Sequence, residues 1–334
     1  MAGSGTAHLR RDRESVLAVD GLVVDFQTER GATVSAVANV SFDVLRGETL
    51  GLVGESGCGK STTGHAVAQL TPPTAGRIRL GNVDVSTLDD NALRQLRPDF
   101  QIIFQDPLAS LNPRRKVRDI VSEPLKIWRR GDRASWKQTV DEMLDAVGLD
   151  PAMVGDRYPR QFSGGQSQRI SIARALVLRP KLLVCDEPVS ALDVSVQAQI
   201  INLLDSMRSR FDLAMIFIAH DLAVVKNVSD RLAVMYLGKL CEVGDADAIY
   251  ASPAHPYTRA LLDSVPRADR PPVATLEGEV PSSTKPPSGC RFRTRCPRAQ
   301  VVCAEIEPTM APVGDDQFVA CHFPLIPVRA VTPG

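Results

Sequence analysis

Neither sign of charge is in excess: lysine and arginine together number 39, and so do aspartate and glutamate. Net charge therefore gives no reason to expect a nucleic-acid partner, although a local basic patch would not show in the total. No stretch approaches the run of about 18 apolar residues that a membrane span needs. Residues 1–15 hold arginines with no apolar segment behind them, which is not the layout of a secretory leader, so the chain is expected to be made and kept in the cytosol. No internal repeat of useful length occurs. Seven cysteines are present, but none stand as the C-x-x-C pairs of common zinc sites. In a reducing compartment they read as free thiols or metal ligands rather than disulfides. At 334 residues the chain exceeds one compact core and suits two domains, or one domain with an insertion and an appendix.

What is present is concentrated in Gly54-Glu55-Ser56-Gly57-Cys58-Gly59-Lys60-Ser61, which fits G-x-x-x-x-G-K-[ST]. An apolar run, Thr49-Leu50-Gly51-Leu52-Val53, leads in, and a helix-compatible stretch over 61–70 leads out. Strand, loop and helix in that order form a phosphate cradle. Glycines let successive N–H groups point into one concavity, and the helix N-terminus adds partial positive charge. Lys60 would reach the β- and γ-phosphates, and the Ser61 hydroxyl would ligate Mg²⁺. A glycine-rich turn with no ligand is the competing reading.

Around this loop the pattern is α/β. Residues 16–26 and 32–44 read as antiparallel strands, 76–85 as a hairpin turning at Gly81-Asn82, and 100–104 as a short strand stopped by Gln105-Asp106-Pro107. Helical spacing takes over from 117 to 148, an inserted helical region. A helix over 167–178 follows, with Ile170, Ile172, Ala173, Leu176 and Val177 on its buried side. Leu182-Leu183-Val184-Cys185 is a continuous apolar run ending in Asp186-Glu187-Pro188, as expected of a central parallel strand. Helix 194–210, strand 213–219, helix 221–228 and strand 232–236 then alternate. Residues 1–15 read as a mobile tail, 16–250 as the main domain with a helical subdomain at about 107–165, 251–287 as a proline-rich linker, and 288–334 as a small cysteine-bearing module.

Phosphoryl transfer to water needs a cradle, a metal, and a residue that orients or deprotonates the attacking water. Asp186 closes an apolar strand where a carboxylate could hold Mg²⁺, and Glu187 beside it can serve as general base. Read alone, such a pair is usually a solvated strand end; the phosphate loop raises it.

With these residues in view, the chain resembles the nucleotide-binding subunits of ABC transporters from residue 16 to about 245. Phe162-Ser163-Gly164-Gly165-Gln166 is similar to their signature loop with Phe in first place. Gln105 matches their Q-loop glutamine, Ser190-Ala191-Leu192-Asp193 their D-loop, and His220 their switch histidine. The resemblance implies a P-loop ABC nucleotide-binding domain with a parallel-sheet core, an antiparallel β subdomain and a helical insertion. It makes Glu187, His220 and Gln105 catalytic, places ATP on Gly54 through Ser61 and on Thr62, and adds Gln105 and Asp186 to Ser61 around Mg²⁺. Phe26 matches the aromatic that stacks on adenine in this family, with a core-packing ring as the rival. A head-to-tail dimer follows, in which ATP lies between the phosphate loop of one subunit and the signature loop of the other, and the helical insertion passes the motion to a membrane partner.

Three further stretches resemble the ATPases of dipeptide and oligopeptide importers: Phe104 through Pro113, His255-Pro256-Tyr257-Thr258-Arg259-Ala260-Leu261-Leu262, and the cysteine tail. The first of these and Met235-Tyr236-Leu237-Gly238 look like the second ATPase of such a system. The implied partners are a second, non-identical ABC ATPase, two transmembrane permease subunits and, through them, an extracytoplasmic peptide-binding protein, with no nucleic acid. The chain would lie on the cytoplasmic face of the membrane. Nickel and glutathione importers carry nearly the same ATPase, and a soluble non-transport ABC ATPase is a further alternative, although such proteins are expected to have paired cassettes or an inserted arm. The tail cysteines, Cys290, Cys296, Cys303 and Cys321, sit in a segment too small to build a core, which suggests metal-assisted folding. Soft all-thiolate ligation fits an iron–sulfur cluster or zinc, and unmetallated thiols are a third reading. The family resemblance implies a [4Fe-4S] cluster there.

Overall fold

The computed structural model describes residues 5–28, 31–265 and 278–328. They fall into two compact units, one made of Met1–Thr87 with Phe217–Gly334 and the other of Leu88–Ile216.

The first unit opens with two long antiparallel strands, β1 (Ser15–Gln27) and β2 (Thr33–Leu45). Leu17, Val19, Leu22 and Val24 of β1 are buried, the spacing of two slipping once at a bulge. Strand β3 (Thr49–Val53), wholly buried, leads to helix α1 (Lys60–Val67). Strands β4 (Ala75–Leu80) and β5 (Val83–Asp84) turn at Gly81-Asn82 and complete a four-stranded sheet in the order β2-β1-β4-β5.

The second unit begins with α2 (Asp90–Leu96) and β6 (Phe100–Ile103), then gathers its helices: α3 (Pro107–Ser110), α4 (Val117–Ile127), α5 (Arg133–Ala146), α6 (Pro151–Val154) and α7 (Gly164–Leu176). Strand β7 (Leu182–Asp186), helix α8 (Val194–Phe211) and the first three residues of strand β8 (Ala214–Ile218) close it. β7 lies between β8 and β6 and runs parallel to β6, with Phe100 opposite Leu182. All five residues of β7 are buried, the first four forming the unbroken apolar run expected of a covered strand. Helix α7 starts at Gly164, three residues ahead of the expected start. Ser163 caps it: its Oγ accepts the Gln166 N–H while Gln166 Oε1 accepts the Ser163 N–H, a reciprocal cap that outweighs the poor helix propensity of two glycines.

The chain returns to the first unit with α9 (Leu222–Lys226), β9 (Arg231–Tyr236), β10 (Lys239–Asp245), α10 (Ala246–Ala251), α11 (Pro256–Asp263), α12 (Val302–Glu305), β11 (Ala311–Pro312) and β12 (Gln317–Val319). Within this unit the neighbour order is β11-β12-β10-β9-β3, with β3 parallel to β9. Strand β10 was not expected. It is paired to β9 through Leu237-Gly238, both at positive φ (43° and 80°), the two-residue turn whose twist suits a hairpin.

Three stretches differ in character from their sequence expectations. From Gly5 onward the N-terminal stretch is tied down: Arg10 bonds Asp43 and Glu48 at 2.6 Å each, Arg231 approaches the same carboxylates at 3.6 and 3.3 Å, and His8 is 1% exposed. Residues 1–4 of that expected tail lie outside the described residues. The expected linker at 251–287 opens with α11. Pro256 there takes the first helical position, where a missing N–H costs nothing, so a proline that signals a break serves as a start. Residues 266–277 lie outside the described residues. The cysteine-bearing stretch belongs to the same compact unit as the phosphate loop, and β12 pairs with β10, Glu242 opposite Val319; its residues 329–334 lie outside the described residues. Among the described residues no helix is long and apolar enough to cross a membrane.

Candidate active site

The loop between β3 and α1 has the conformation that its glycines permit and other residues would not. Gly54 (φ 152°) passes so close to the Met235 carbonyl that a Cβ would lie 2.1 Å from its oxygen. Gly59 (φ 104°), the residue capping α1, would bring a Cβ to 2.2 Å from the Ala36 oxygen. Lys60 is 4% exposed, and its Nζ donates to the carbonyls of Gly54 (2.8 Å) and Glu55 (3.0 Å), so the lysine closes the loop on itself. Ser56 and Gly57 are exposed at the rim, Ser61 and Thr62 are half-buried in the first turn of α1, and Cys58 is buried with its thiol pKa raised, chiefly by desolvation. A glycine-bounded loop running into a helix N-terminus, with a lysine at its mouth, suits an anion.

Glu55 has partners that sequence motifs did not reveal. Its carboxylate receives both terminal nitrogens of Arg295, at 2.7 and 3.0 Å, and its backbone N–H donates to Tyr257 Oη at 2.8 Å. The only sequence signal was indirect: Tyr257 and Arg295 both lie in stretches marked by the importer resemblance.

In the second unit, Asp186 ends β7 at 6% exposure, and Glu187 follows with φ 46°. A left-handed glutamate is an uncommon and costly backbone state, of the kind that collects where a side chain must be aimed. Gln105 Nε2 donates to Glu187 Oε2 at 3.0 Å, which joins two of the three expected catalytic residues. The Glu187 carbonyl accepts from the Ser190 N–H (3.3 Å) and Oγ (3.1 Å). Gln197 Nε2 donates to the carbonyls of Val189 (3.1 Å) and Leu192 (2.9 Å), shaping the turn that delivers Asp193 to the cap position of α8. Ser163, Gly164 and Gln166 are exposed at the start of α7, Gly165 is half-buried, and the Arg157 guanidinium lies 4.8 Å from the Phe162 ring centroid.

His220 is exposed just past β8; the Ala219 N–H before it donates to the carbonyl of Leu52 in the phosphate-loop strand at 3.4 Å. Phe26 is 44% exposed near the end of β1, so it is not the core-packing ring that was its rival role.

All seven cysteines are free thiols. Cys290, Cys296, Cys303 and Cys321 line one small cavity together with His255 and His322. Burial pushes the Cys290 thiol up to about 11 and Cys321 to about 12, and raises Cys296, so these thiols hold their protons at neutral pH. Among the described residues no set of three or more His, Cys, Asp or Glu stands where it could hold a metal ion. The donor chemistry and the shared cavity suit a soft metal; the side-chain placement is not that of a formed ligand set.

Comparison with known proteins adds the following. The family described as ABC transporter matches residues 37–190, and the oligopeptide/dipeptide transporter C-terminal region matches residues 241–303. The oligopeptide transport ATP-binding protein AppF of Bacillus subtilis is 50% identical over 307 residues, covering 89% of this chain and 92% of the relative. OppF of Salmonella typhimurium, described in the same words, is 48% identical over 312 residues, covering 89% and 93%. Among solved structures, a dimeric ATP-binding cassette in a post-hydrolysis state, bound to ADP and Pi, is 27% identical with a TM-score of 0.63, covering 69% of this chain and 98% of its own.

Proposed function

The chain belongs to the ATP-binding subunits of ABC transporters, in the oligopeptide importer family, and on that footing we propose that it hydrolyses ATP to drive oligopeptide import as one half of a pair of non-identical ATPases. The observation that carries the reading is the loop at 54–61, strained into left-handed glycines and closed by Lys60 on its own carbonyls. Binding of ATP would draw Lys60 from Gly54 and Glu55 to the β- and γ-phosphates, while the amides of the loop and of α1 cradle them. Phe26, exposed at the end of β1, would stack on adenine.

Ser61, Gln105 and Asp186 would hold Mg²⁺, which when bound neutralises charge on the phosphate oxygens. Glu187 takes the proton of the attacking water, the water oxygen bonds to the γ-phosphorus, and the bond to the bridging oxygen breaks to leave ADP. His220 would contact the γ-phosphate. Ser163, Gly164, Gly165 and Gln166 would serve the nucleotide of the partner subunit, with Asp193 at the shared boundary. In support, the start of α7 faces solvent with Ser163 and Gln166 exposed, and a solved relative is itself a dimer. The partners would be a second ATPase, two permeases and, through them, a peptide-binding protein, with this chain peripheral on the cytoplasmic face. A [4Fe-4S] cluster on Cys290, Cys296, Cys303 and Cys321 would complete the tail; the cavity those four thiols share supports it.

The test is purification of the tagged chain from detergent-solubilised membranes, followed by ATPase assay of the reconstituted assembly. Two permeases and a second ATPase should co-purify, and peptide-loaded binding protein should stimulate turnover. A homodimer alone, or stimulation by nickel or glutathione and not by peptide, would overturn the assignment.

A further inference from the structure

The segment from Cys290 to Cys296 carries Arg291, Phe292 and Arg295, and all three reach the surroundings of the phosphate loop. Arg295 has a side chain 4% exposed and grips the Glu55 carboxylate with both terminal nitrogens. It also donates to Tyr236 Oη at 3.4 Å, and its guanidinium carbon lies 5.9 Å from that ring's centroid. Phe292, 1% exposed, packs edge-on against Tyr236 (5.3 Å between centroids) and at a tilt against Tyr257 (5.3 Å). Tyr257 in turn receives the Glu55 N–H. Arg291 donates to the Leu237 carbonyl, and the next residue, Gly238, donates its N–H to the Cys58 carbonyl at 2.8 Å. Both ends of the phosphate loop are therefore held from one turn of the tail: Glu55 directly, and Cys58 through the β9–β10 turn.

A planar guanidinium forked onto a carboxylate fixes direction as well as distance, which a lysine cannot do. The pair is well shielded, with Glu55 25% exposed, so it is screened less than a surface ion pair.

We infer that Arg295 is a positioning residue for nucleotide binding: through Glu55 it holds the phosphate loop in the shape that receives the phosphates, which makes the tail part of the ATP site. The inference rests on the ATPase reading of the loop. It needs no metal in the tail.

The test is Mg-ATP titration of the full chain, together with turnover in the assembled complex, for Arg295→Ala, Glu55→Ala and the double variant. Loss of one well-shielded charge pair should raise the ATP dissociation constant about tenfold in each single variant. The double variant should be no worse than either single one, because both remove the same contact. Turnover of Arg295→Ala at saturating ATP should stay within about twofold, since the clamp acts before chemistry. Arg295→Lys should fall between wild type and Arg295→Ala. Unchanged affinity in Arg295→Ala, or effects that multiply to about a hundredfold in the double variant, would overturn the proposal. Should Arg295→Ala fail to fold, Arg295→Lys and Glu55→Gln keep the packing and are read by the same two outcomes. Lys60→Ala serves as the control: if wild type binds ATP no better than Lys60→Ala does, it is the ATPase reading that fails, and not the clamp.

Discussion

Gln105 and Glu187, 82 residues apart, are joined by one hydrogen bond from Nε2 to Oε2 at 3.0 Å. The amide thus faces the expected base. Its other end, Oε1, is the atom that would serve Mg²⁺.

From this pair comes the first prediction. Glu187→Gln should bind ATP as wild type does and hydrolyse it about 10²- to 10⁴-fold more slowly, the range lost with a general base. Single-turnover phosphate release beside an equilibrium titration separates the two effects. Ordinary turnover in the assembled complex would remove Glu187 from the mechanism.

Phe26 is exposed enough that its loss should cost the fold little. Phe26→Ala should therefore leave the melting temperature within about 2 °C of wild type. If the ring stacks on adenine, it should also weaken ATP binding about tenfold, as an aromatic stacking energy of roughly 1–1.5 kcal/mol implies. Equal ATP affinity in the two proteins would strike Phe26 from the site.

His255 predicts a pH dependence. It is 1% exposed, its Nδ1 accepts the Tyr257 N–H at 3.0 Å at the start of α11, and burial holds its pKa down to about 3. A histidine depressed below its unfolded value of about 6.5 stabilises the fold fully above that pH and loses the contribution as pH falls. The loss from this residue should approach about 1.4 kcal/mol per pH unit below 6.5. His8, also lowered by burial, adds in the same direction. Glu242, raised by burial, works the opposite way: it favours the fold at low pH and opposes it as pH climbs through the carboxylate range. Urea unfolding between pH 7 and 5 should give a shallower slope for His255→Asn than for wild type. Identical slopes would mean that His255 ionises in the folded chain as readily as in the unfolded one.

For the tail cysteines the prediction concerns metal. Anaerobically purified protein should show broad visible absorbance and about four irons and four sulfides per chain, as a [4Fe-4S] cluster requires. Cys303→Ser should lose both. A colourless chain holding zinc or no metal would dismiss the cluster and leave the phosphate loop untouched.

The amino-acid sequence by itself determined what depends on local pattern. The glycines of 54–59, the apolar run before Asp186 and the alternating strands each declare their conformation within a few residues, because steric freedom and burial act at that range. The expectations for the signature loop, Gln105 and His220 came instead from resemblance to a family, residue by residue. The tertiary structure alone decided where long-range partners meet. That residues 290–296 close on Glu55 could not be read from the chain, because an ion pair between positions 240 residues apart leaves no periodicity in either segment. The same holds for Arg10 on Asp43 and Glu48, which turned an expected tail into a docked one, and for β12 on β10, which joined an expected separate module to the sheet. Arginines and prolines look solvent-exposed or disruptive in sequence; only burial beside a carboxylate, or a place at the first turn of a helix, shows that they hold the fold together.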